Sequence, residues 1–324
     1  MDYVVLDLEW NQASDSRDAR NRLLTFEIIE IGAVKLNSRM EIVDTFEELI
    51  RPQVYDTMHH ITEKLIGIHM KDLSGCRTFD VVMKDFLAWC GEDFMFGTWG
   101  PQDLTELQKN MRFFGMEPLG KGPVRFYDIQ KLFSIAYEDQ KVRRSLEYAV
   151  DYLQIPKDIP FHRAISDAVY TARVFQMIKD PIALQRVSFD TFQLPENHRS
   201  EVHVVFDNYA KYISRPFLDK EALMADKEVL STRCYLCHHN LRKKVRWFSP
   251  NGKHYYSLSW CDKHGWMKGK IRVKKAEDDM VYAVKTTKLV GEKEVAALME
   301  RKDHIRQLRK EHRHREAQEK LGKR

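Results

Sequence analysis

The sequence predicts an α/β fold: a mixed sheet flanked by helices, followed by a small C-terminal zinc-ribbon-like module and a basic helical tail. Three observations predict it. Apolar, strand-like segments open the chain, and strands then alternate with helical text as far as Asp180, the order of a layered α/β domain. Cysteines and a histidine at metal-ligand spacing stand between residues 234 and 264. Charged text of roughly helical period closes the chain from Gly291.

In "YVVLDLEWNQ" (3–12), Tyr3, Val4, Val5, Leu6 and Leu8 suit a strand covered on both faces. Asp7 and Glu9 interrupt it and, two residues apart, project from one face. Two like charges so close are costly unless a cation or a proton lies between them. The polar stretch Ser14 to Arg22 reads as a loop. "FEIIEIGAVKL" (26–36) and "EIVDTFEELIRP" (41–52) read as two more strands, with a turn at Asn37, Ser38 and Arg39. Together the three make an antiparallel meander.

The period changes after Thr62. "TFDVVMKDFLAWCG" (78–91) carries Phe79, Val82, Phe86 and Trp89 at helical spacing, with Thr78 as N-cap and Gly91 as stop. "DFMFGTWG" (93–100) is a short strand, and Pro101 opens the helix that follows it. "VRFYDI" (124–129) is another strand, with helical text to Tyr137. "RSLEYAVDYLQI" (144–155) and "HRAISDAVYTARVFQMIKD" (162–180) read as helices. This first domain covers 1–180. Prolines punctuate 181–230, which reads as a linker with some helix; 231–290 is a second module and 291–324 a charged helical tail.

With 43% hydrophobic residues among 324, a sizeable core can be buried. No apolar run approaches the roughly 18 residues of a membrane span, and the start shows no signal peptide, so a soluble cytoplasmic protein with no membrane partner is expected. Five cysteines at these positions do not suggest a disulfide framework; Cys76 and Cys90 read as ordinary thiols. Residues 231–324 hold 25 Lys and Arg against 11 Asp and Glu, and residues 1–230 hold 28 against 37. A basic part joined to an acidic one suggests a polyanion such as nucleic acid.

Two further acids accompany Asp7 and Glu9. Asp103 lies just past a strand end, in the first turn of the Pro101 helix, and Asp167 lies five residues after His162. His162 is expected to project from the loop entering the last helix, with Asp167 pointing inward while Val169, Ala172, Val174 and Phe175 pack on the sheet. In order and spacing these five residues resemble the DnaQ-like, or DEDDh, 3′→5′ exonucleases: a strand with D-x-E, an aspartate at a helix start, and H-x(4)-D opening a helix. The resemblance covers about 1–180, "IIEIGAVKL" included, and implies a ribonuclease H-like fold. Arg163 stands where the sister branch has tyrosine. "TWGPQD" departs from the "H-N-A-x-F-D" of proofreading members and is similar to the "W-G-x-x-D" of Eri-type and KapD-like exoribonucleases, which favours RNA.

The chemistry suits the residues. Two Mg²⁺ or Mn²⁺ ions prefer hard oxygen ligands, with Asp7 shared and Glu9, Asp103 and Asp167 completing the sites. His162 would take the proton of the attacking water. The resemblance implies removal of mononucleotides from a 3′-OH end of single-stranded RNA or DNA. Trp10, Asn11 and Gln12 are placed to meet the terminal nucleotide, whereas His59, His60 and His69 read as surface histidines.

"CYLC" (234–237) and "CDKH" (261–264) give C-x2-C-x23-C-x2-H. Cys234, Cys237, Cys261 and His264 would close a structural Zn²⁺ site, with His238 or His239 as alternatives to His264. Between the pairs, basic and aromatic residues alternate around an Asn251-Gly252 hairpin turn. Arg242, Lys243, Lys244, Arg246 and Lys253 could track phosphates, and Trp247, Tyr255 and Tyr256 could stack on bases or form the module's own core. The expected function is a two-metal 3′→5′ exonuclease releasing nucleoside 5′-monophosphates. A DNA proofreading or repair nuclease and a non-catalytic nucleic-acid adaptor are the alternatives.

Overall fold

A computed structural model describes every residue except 16, 17, 19, 21, 22, 140, 141, 323 and 324, with side chains as far as residue 312. Five positions of the loop expected at 14–22 thus lie outside the described residues. The chain folds as two units, Met1–Gln193 and Leu194–Arg324.

In the first unit, β1 (Asp2–Asn11), β2 (Glu27–Leu36) and β3 (Ile42–Leu49) form the expected antiparallel meander. Short helices α1 (His60–Ile66) and α2 (Met70–Leu73) lead to α3 (Phe79–Cys90), which starts after Thr78 and ends at Gly91 with φ 82°. Then come β4 (Phe94–Thr98), α4 (Gln102–Phe113), β5 (Val124–Asp128), α5 (Ile129–Tyr137), α6 (Leu146–Tyr152) and α7 (Ala164–Met177). β4 lies parallel to both β1 and β5. With α8 (Pro181–Leu184) and β6 (Ser188–Asp190), the sheet order is β3-β2-β1-β4-β5-β6.

Alternation along β1 divides the core. Val4, Leu6 and Leu8 meet Phe79, Val82, Phe86, Leu104 and Leu107 from α3 and α4. On the other face, Tyr3 and Val5 meet Leu132, Phe133, Ala168 and Phe175 from α5 and α7. Burying each such Leu, Val or Phe is worth about 1.5–3 kcal/mol, so β1 is a rigid centre strand. Asp7 and Glu9 continue its second face, towards α7. That helix reaches β2 closely because residue 32 is glycine: a Cβ there would stand 2.1 Å from main-chain atoms of Ala164 and Ile165.

Residues 181–230 are not a linker. α8 and β6 belong to the first unit, where Thr105 and Gln108 each donate to the Asp190 carboxylate at 2.7 Å. The second unit begins at Leu194 and takes two strands from this stretch, β7 (Val202–Phe206) and β8 (Tyr209–Ile213), and a short helix, α9 (Lys220–Ala225). β9 (Arg242–Phe248), β10 (His254–Cys261), β11 (Gly265–Lys275) and β12 (Val281–Leu289) follow, then α10 (Glu292–Gly322). The sheet order is β7-β8-β12-β11-β10-β9, antiparallel throughout. Tyr212, Leu223, Val229, Ile271 and Ala283 form a small core on one face. On the other, Val245, Tyr256 and Leu258 pack under Val295 and Leu298 of α10. Among the described residues, no helix is long and apolar enough to cross a membrane.

Gly32→Ala should lower the unfolding free energy by about 3 kcal/mol, the upper end for overpacking, because the obstruction is backbone rather than a movable side chain. Urea denaturation measures this; an unchanged midpoint would mean that α7 has room to retreat.

Candidate active site

Strand β1 stands where the chain leaves the sheet centre in opposite directions, the usual place for a site in an open α/β sheet. Pairing with β4 ends at Val5↔Gly97, so the later part of β1 has no strand on that side. Asp103, in the first turn of α4, fills part of the gap by accepting from the Leu8 N–H. From the other face α7 brings Asp167. One oxygen each of Asp7, Glu9 and Asp167 lie within 4.8 Å of one another, a group that does not include Asp103. Asp103 nevertheless acts on Asp7 through its charge.

Burial and mutual repulsion raise these groups above the ordinary carboxylate range. Asp7 is pushed well above the carboxylate range by burial, then by Asp103, Asp167 and Glu9. Burial raises Glu9 to about 8, with Glu30 as the next cause. Asp167 is raised to about 6 by burial, against an opposing hydrogen bond from the His162 N–H. Its Oδ1 is buried with no hydrogen-bond partner. A buried acceptor left unmet, beside two further carboxylates, suits a hard divalent cation with oxygen ligands.

His162 is exposed and sits just before α7 with φ 66°, a left-handed conformation uncommon outside glycine. Such a backbone persists when its surroundings hold it. Arg163 supplies the hold, donating from Nε at 3.0 Å and from its terminal nitrogen at 2.6 Å to Oε1 of Glu30. Glu30 is fully buried on β2, opposite Glu9 in the register. It also accepts the first N–H of α7, from Ala164, at 3.3 Å. The sequence reading passed over Glu30 and Arg163 as a pair, although an acid inside "FEIIEIG" is the same signal that singled out Asp7.

Of the three residues after Glu9 expected to meet a nucleotide, Asn11 is turned into the core. A register shift falls between Glu9 and Trp10. Trp10 is half-buried against the core, its ring 5.5 Å from that of Phe26. Asn11 is wholly buried; it donates to the Thr57 carbonyl at 2.9 Å and accepts the His59 N–H at 2.8 Å. It latches a loop and has no face left for a ligand. Gln12 is half-exposed. His59, expected at the surface, is buried, while His60 and His69 are exposed.

In the second unit, Cys234, Cys237, Cys261 and His264 converge. His264 Nδ1 lies 3.4 Å from Cys234 Sγ and 3.6 Å from Cys261 Sγ, and the Cys237 and Cys261 sulfurs are 3.6 Å apart. A tetrahedral ion with bonds of about 2.0–2.3 Å has edges of about this length. His264 rather than His238 or His239 completes the set. Arg242, Lys243, Lys244 and Arg246 are exposed on β9, but Trp247 is not a free stacking platform. It packs over Gly269 and its Nε1 donates to the Leu230 carbonyl at 3.1 Å. Tyr255 and Tyr256 likewise belong to the two small cores.

Known proteins resemble the first unit. Human 3'-5' exoribonuclease 1 is 24% identical over 171 residues, 49% of this chain and 48% of that protein. The PolC-type DNA polymerase III of Listeria welshimeri is 25% identical over 188 residues, 58% of this chain and 12% of the polymerase. The chain thus spans about half the length of the exoribonuclease it matches. Among solved structures, the nuclease domain of 3'hExo, a DEDDh family member bound to rAMP, has 21% identity and a TM-score of 0.49, covering 58% of this chain and 96% of that one. The exonuclease family model of RNase T type matches residues 4–175, more than half of the chain, and the chain belongs to that family.

Proposed function

We propose that the chain is a two-metal 3′→5′ exonuclease of single-stranded RNA that releases nucleoside 5′-monophosphates. The convergence of Asp7, Glu9 and Asp167 around a buried oxygen with no hydrogen-bond partner carries this reading. A nucleic-acid adaptor has no use for acids that repel phosphate. Asp7, Glu9, Asp103 and Asp167 would hold two Mg²⁺ or Mn²⁺ ions. When bound, such ions neutralise charge on the scissile phosphate, ionise a water and stabilise the departing oxygen.

The chain's own groups supply the rest. His162, exposed and outside the helix, accepts the proton of the attacking water on an imidazole nitrogen and exchanges it with solvent. The new bond joins the water oxygen to phosphorus, the P–O3′ bond breaks, and the 3′-oxygen leaves with a solvent proton. Arg163 and Glu30 fix the turn that aims His162. The "TWGPQD" stretch and the exoribonuclease relative support RNA over DNA; the polymerase relative favours the DNA reading. Cys234, Cys237, Cys261 and His264 would hold one structural Zn²⁺, since four protein ligands leave no open position. Thiols kept for a cation accord with the reducing cytoplasm.

Full-length protein given 5′-labelled single-stranded RNA or DNA with Mg²⁺ or Mn²⁺ should shorten RNA in single-nucleotide steps. Asp7→Asn should lose at least about 10³-fold in rate and His162→Ala about 10²–10⁴-fold, the range for a general base. Faster shortening of DNA would select the alternative substrate, and binding with no shortening under either metal would remove the enzyme.

The raised carboxyl groups predict a pH dependence. Folded, Glu9 and Asp167 hold protons that the unfolded chain releases near its ordinary values, so the metal-free protein loses stability as pH rises from about 4 through about 8. Cations displace those protons, so Mn²⁺ should raise the melting temperature more at about pH 8 than at about pH 5.5. Equal shifts at both values would count against the buried carboxylates as ligands.

Elemental analysis should find one zinc per chain, lost in Cys234→Ser together with the thermal stability of the second unit. A native, zinc-free protein would overturn the assignment.

A further inference from the structure

On the second unit, the face that carries α10 also bears a row of cations. Lys268, Lys270 and Arg272 alternate along β11 with the apolar Met267, Gly269 and Ile271, which face the opposite side. The register sets Lys268 opposite Leu258, Lys270 opposite Tyr256 and Arg272 opposite His254, so the β10 residues share the face of the cations. α10 covers only part of it. Val295 and Leu298 lie over Val245, Tyr256 and Leu258, and Arg309 donates to the Ser249 carbonyl at 2.6 Å. The helix starts against β11, where Glu294 meets Lys268, and crosses β10 towards the end of β9, leaving the exposed Lys270 and Arg272 beside it. From the helix, Arg301 reaches back over the Tyr256 ring, 4.7 Å from its centroid.

Counter-ions stop partway along the row. Glu294 pairs with Lys288 at 2.8 Å and with Lys268 at 3.8 Å. Beyond it, Lys253, Lys270, Arg272 and Arg301 have no ion pair among the described residues, although all four are exposed and gather about His254. Like charges so grouped repel one another, and a polyanion relieves that cost. The second unit as a whole holds 30 Lys and Arg against 18 Asp and Glu.

We infer that this trough between β11 and α10, rather than the exposed basic residues of β9, is a binding track for the phosphate backbone of a single-stranded nucleic acid. Successive cations on one face of a strand are about 6.8 Å apart, twice the rise per residue. That spacing is comparable with that of phosphates along an extended single strand. Tyr256 and Tyr255 are taken up in packing, so the track offers charge without an open aromatic platform and reads no sequence. It differs from the metal site both in residues and in requiring no cation. The choice of a single strand as ligand rests on the exonuclease reading, and the test keeps binding separate from cleavage.

The experiment uses full-length Asp7→Asn protein without added divalent metal, and fluorescence anisotropy with a labelled single-stranded oligouridylate. Binding should weaken with KCl, with a slope in log K against log salt of about −0.7 per phosphate contacted. Lys270→Glu with Arg272→Glu should weaken binding at least about 10-fold and flatten the slope by about 1.4, two contacts at 0.7 each. Lys243→Glu with Lys244→Glu, of equal charge change on β9, should alter it less than about 3-fold. Should the β11 variant fail to fold by circular dichroism, Lys253→Glu with Arg301→Glu probes the same trough from its other side. Equal losses from the two faces, a larger loss from β9, or tighter binding of a duplex of equal length would overturn the inference. In a parallel assay, wild-type protein that fails to shorten single-stranded RNA with Mg²⁺ or Mn²⁺ would instead count against the exonuclease.

Discussion

Asp7, Glu9 and Asp167 repel one another at under 4.8 Å, and much of the first unit is arranged to hold them there regardless. Asp7 and Glu9 cannot separate, because β1 is pinned at the sheet centre by apolar residues packed on both faces. Asp167 cannot withdraw, because Gly32 brings the start of α7 against β2. Left without a cation, the cluster holds protons to higher pH than the same groups would in water. The fold thus stores an unfavourable arrangement that the proposed divalent ions would relieve.

Glu30 shows how narrow the margin is. A further carboxylate next to Glu9 raises its repulsion, and Glu30 is tolerated because Arg163 meets it with paired donors and the N–H of Ala164 adds a third. The pair does two things at once. It neutralises a buried charge, and it fixes the turn at His162, whose left-handed backbone would otherwise relax. Lysine could neutralise the charge from one nitrogen but could not repeat the forked contact.

Strand and helix periods in the first unit were legible because each element is long or cleanly capped: Thr78 and Gly91 bound α3 as the sequence indicates. The acids were legible because a charge in an apolar strand needs a reason. What stayed hidden was which way polar residues turn. Asn11 adjoins the site in sequence, yet the register shift after Glu9 carries it into the core, where its amide joins Thr57 to His59. Trp247 alternates with lysines and arginines as a stacking residue would, but Gly269 opposite makes room for its ring. Prolines made 181–230 read as a linker, while "VHVVF" and "YAKYI", joined by Asp207 and Asn208, already had the form of a two-residue hairpin.

Phosphate must meet positive charge wherever it is held, and in the proposed function the two units would meet that demand by different means. The first has 23 Lys and Arg against 30 Asp and Glu, and its site is lined with carboxylates. On the proposed reading it receives a phosphodiester only through metal ions held by those carboxylates. The second carries a surplus of Lys and Arg side chains, and its Cys234, Cys237, Cys261 and His264 cluster joins the end of β10, the turn before β11 and the 234–237 turn. Bond breaking needs charge focused on one phosphate, which small ions between fixed carboxylates provide. Retention of a strand needs charge spread over several phosphates, the role proposed for the row along β11.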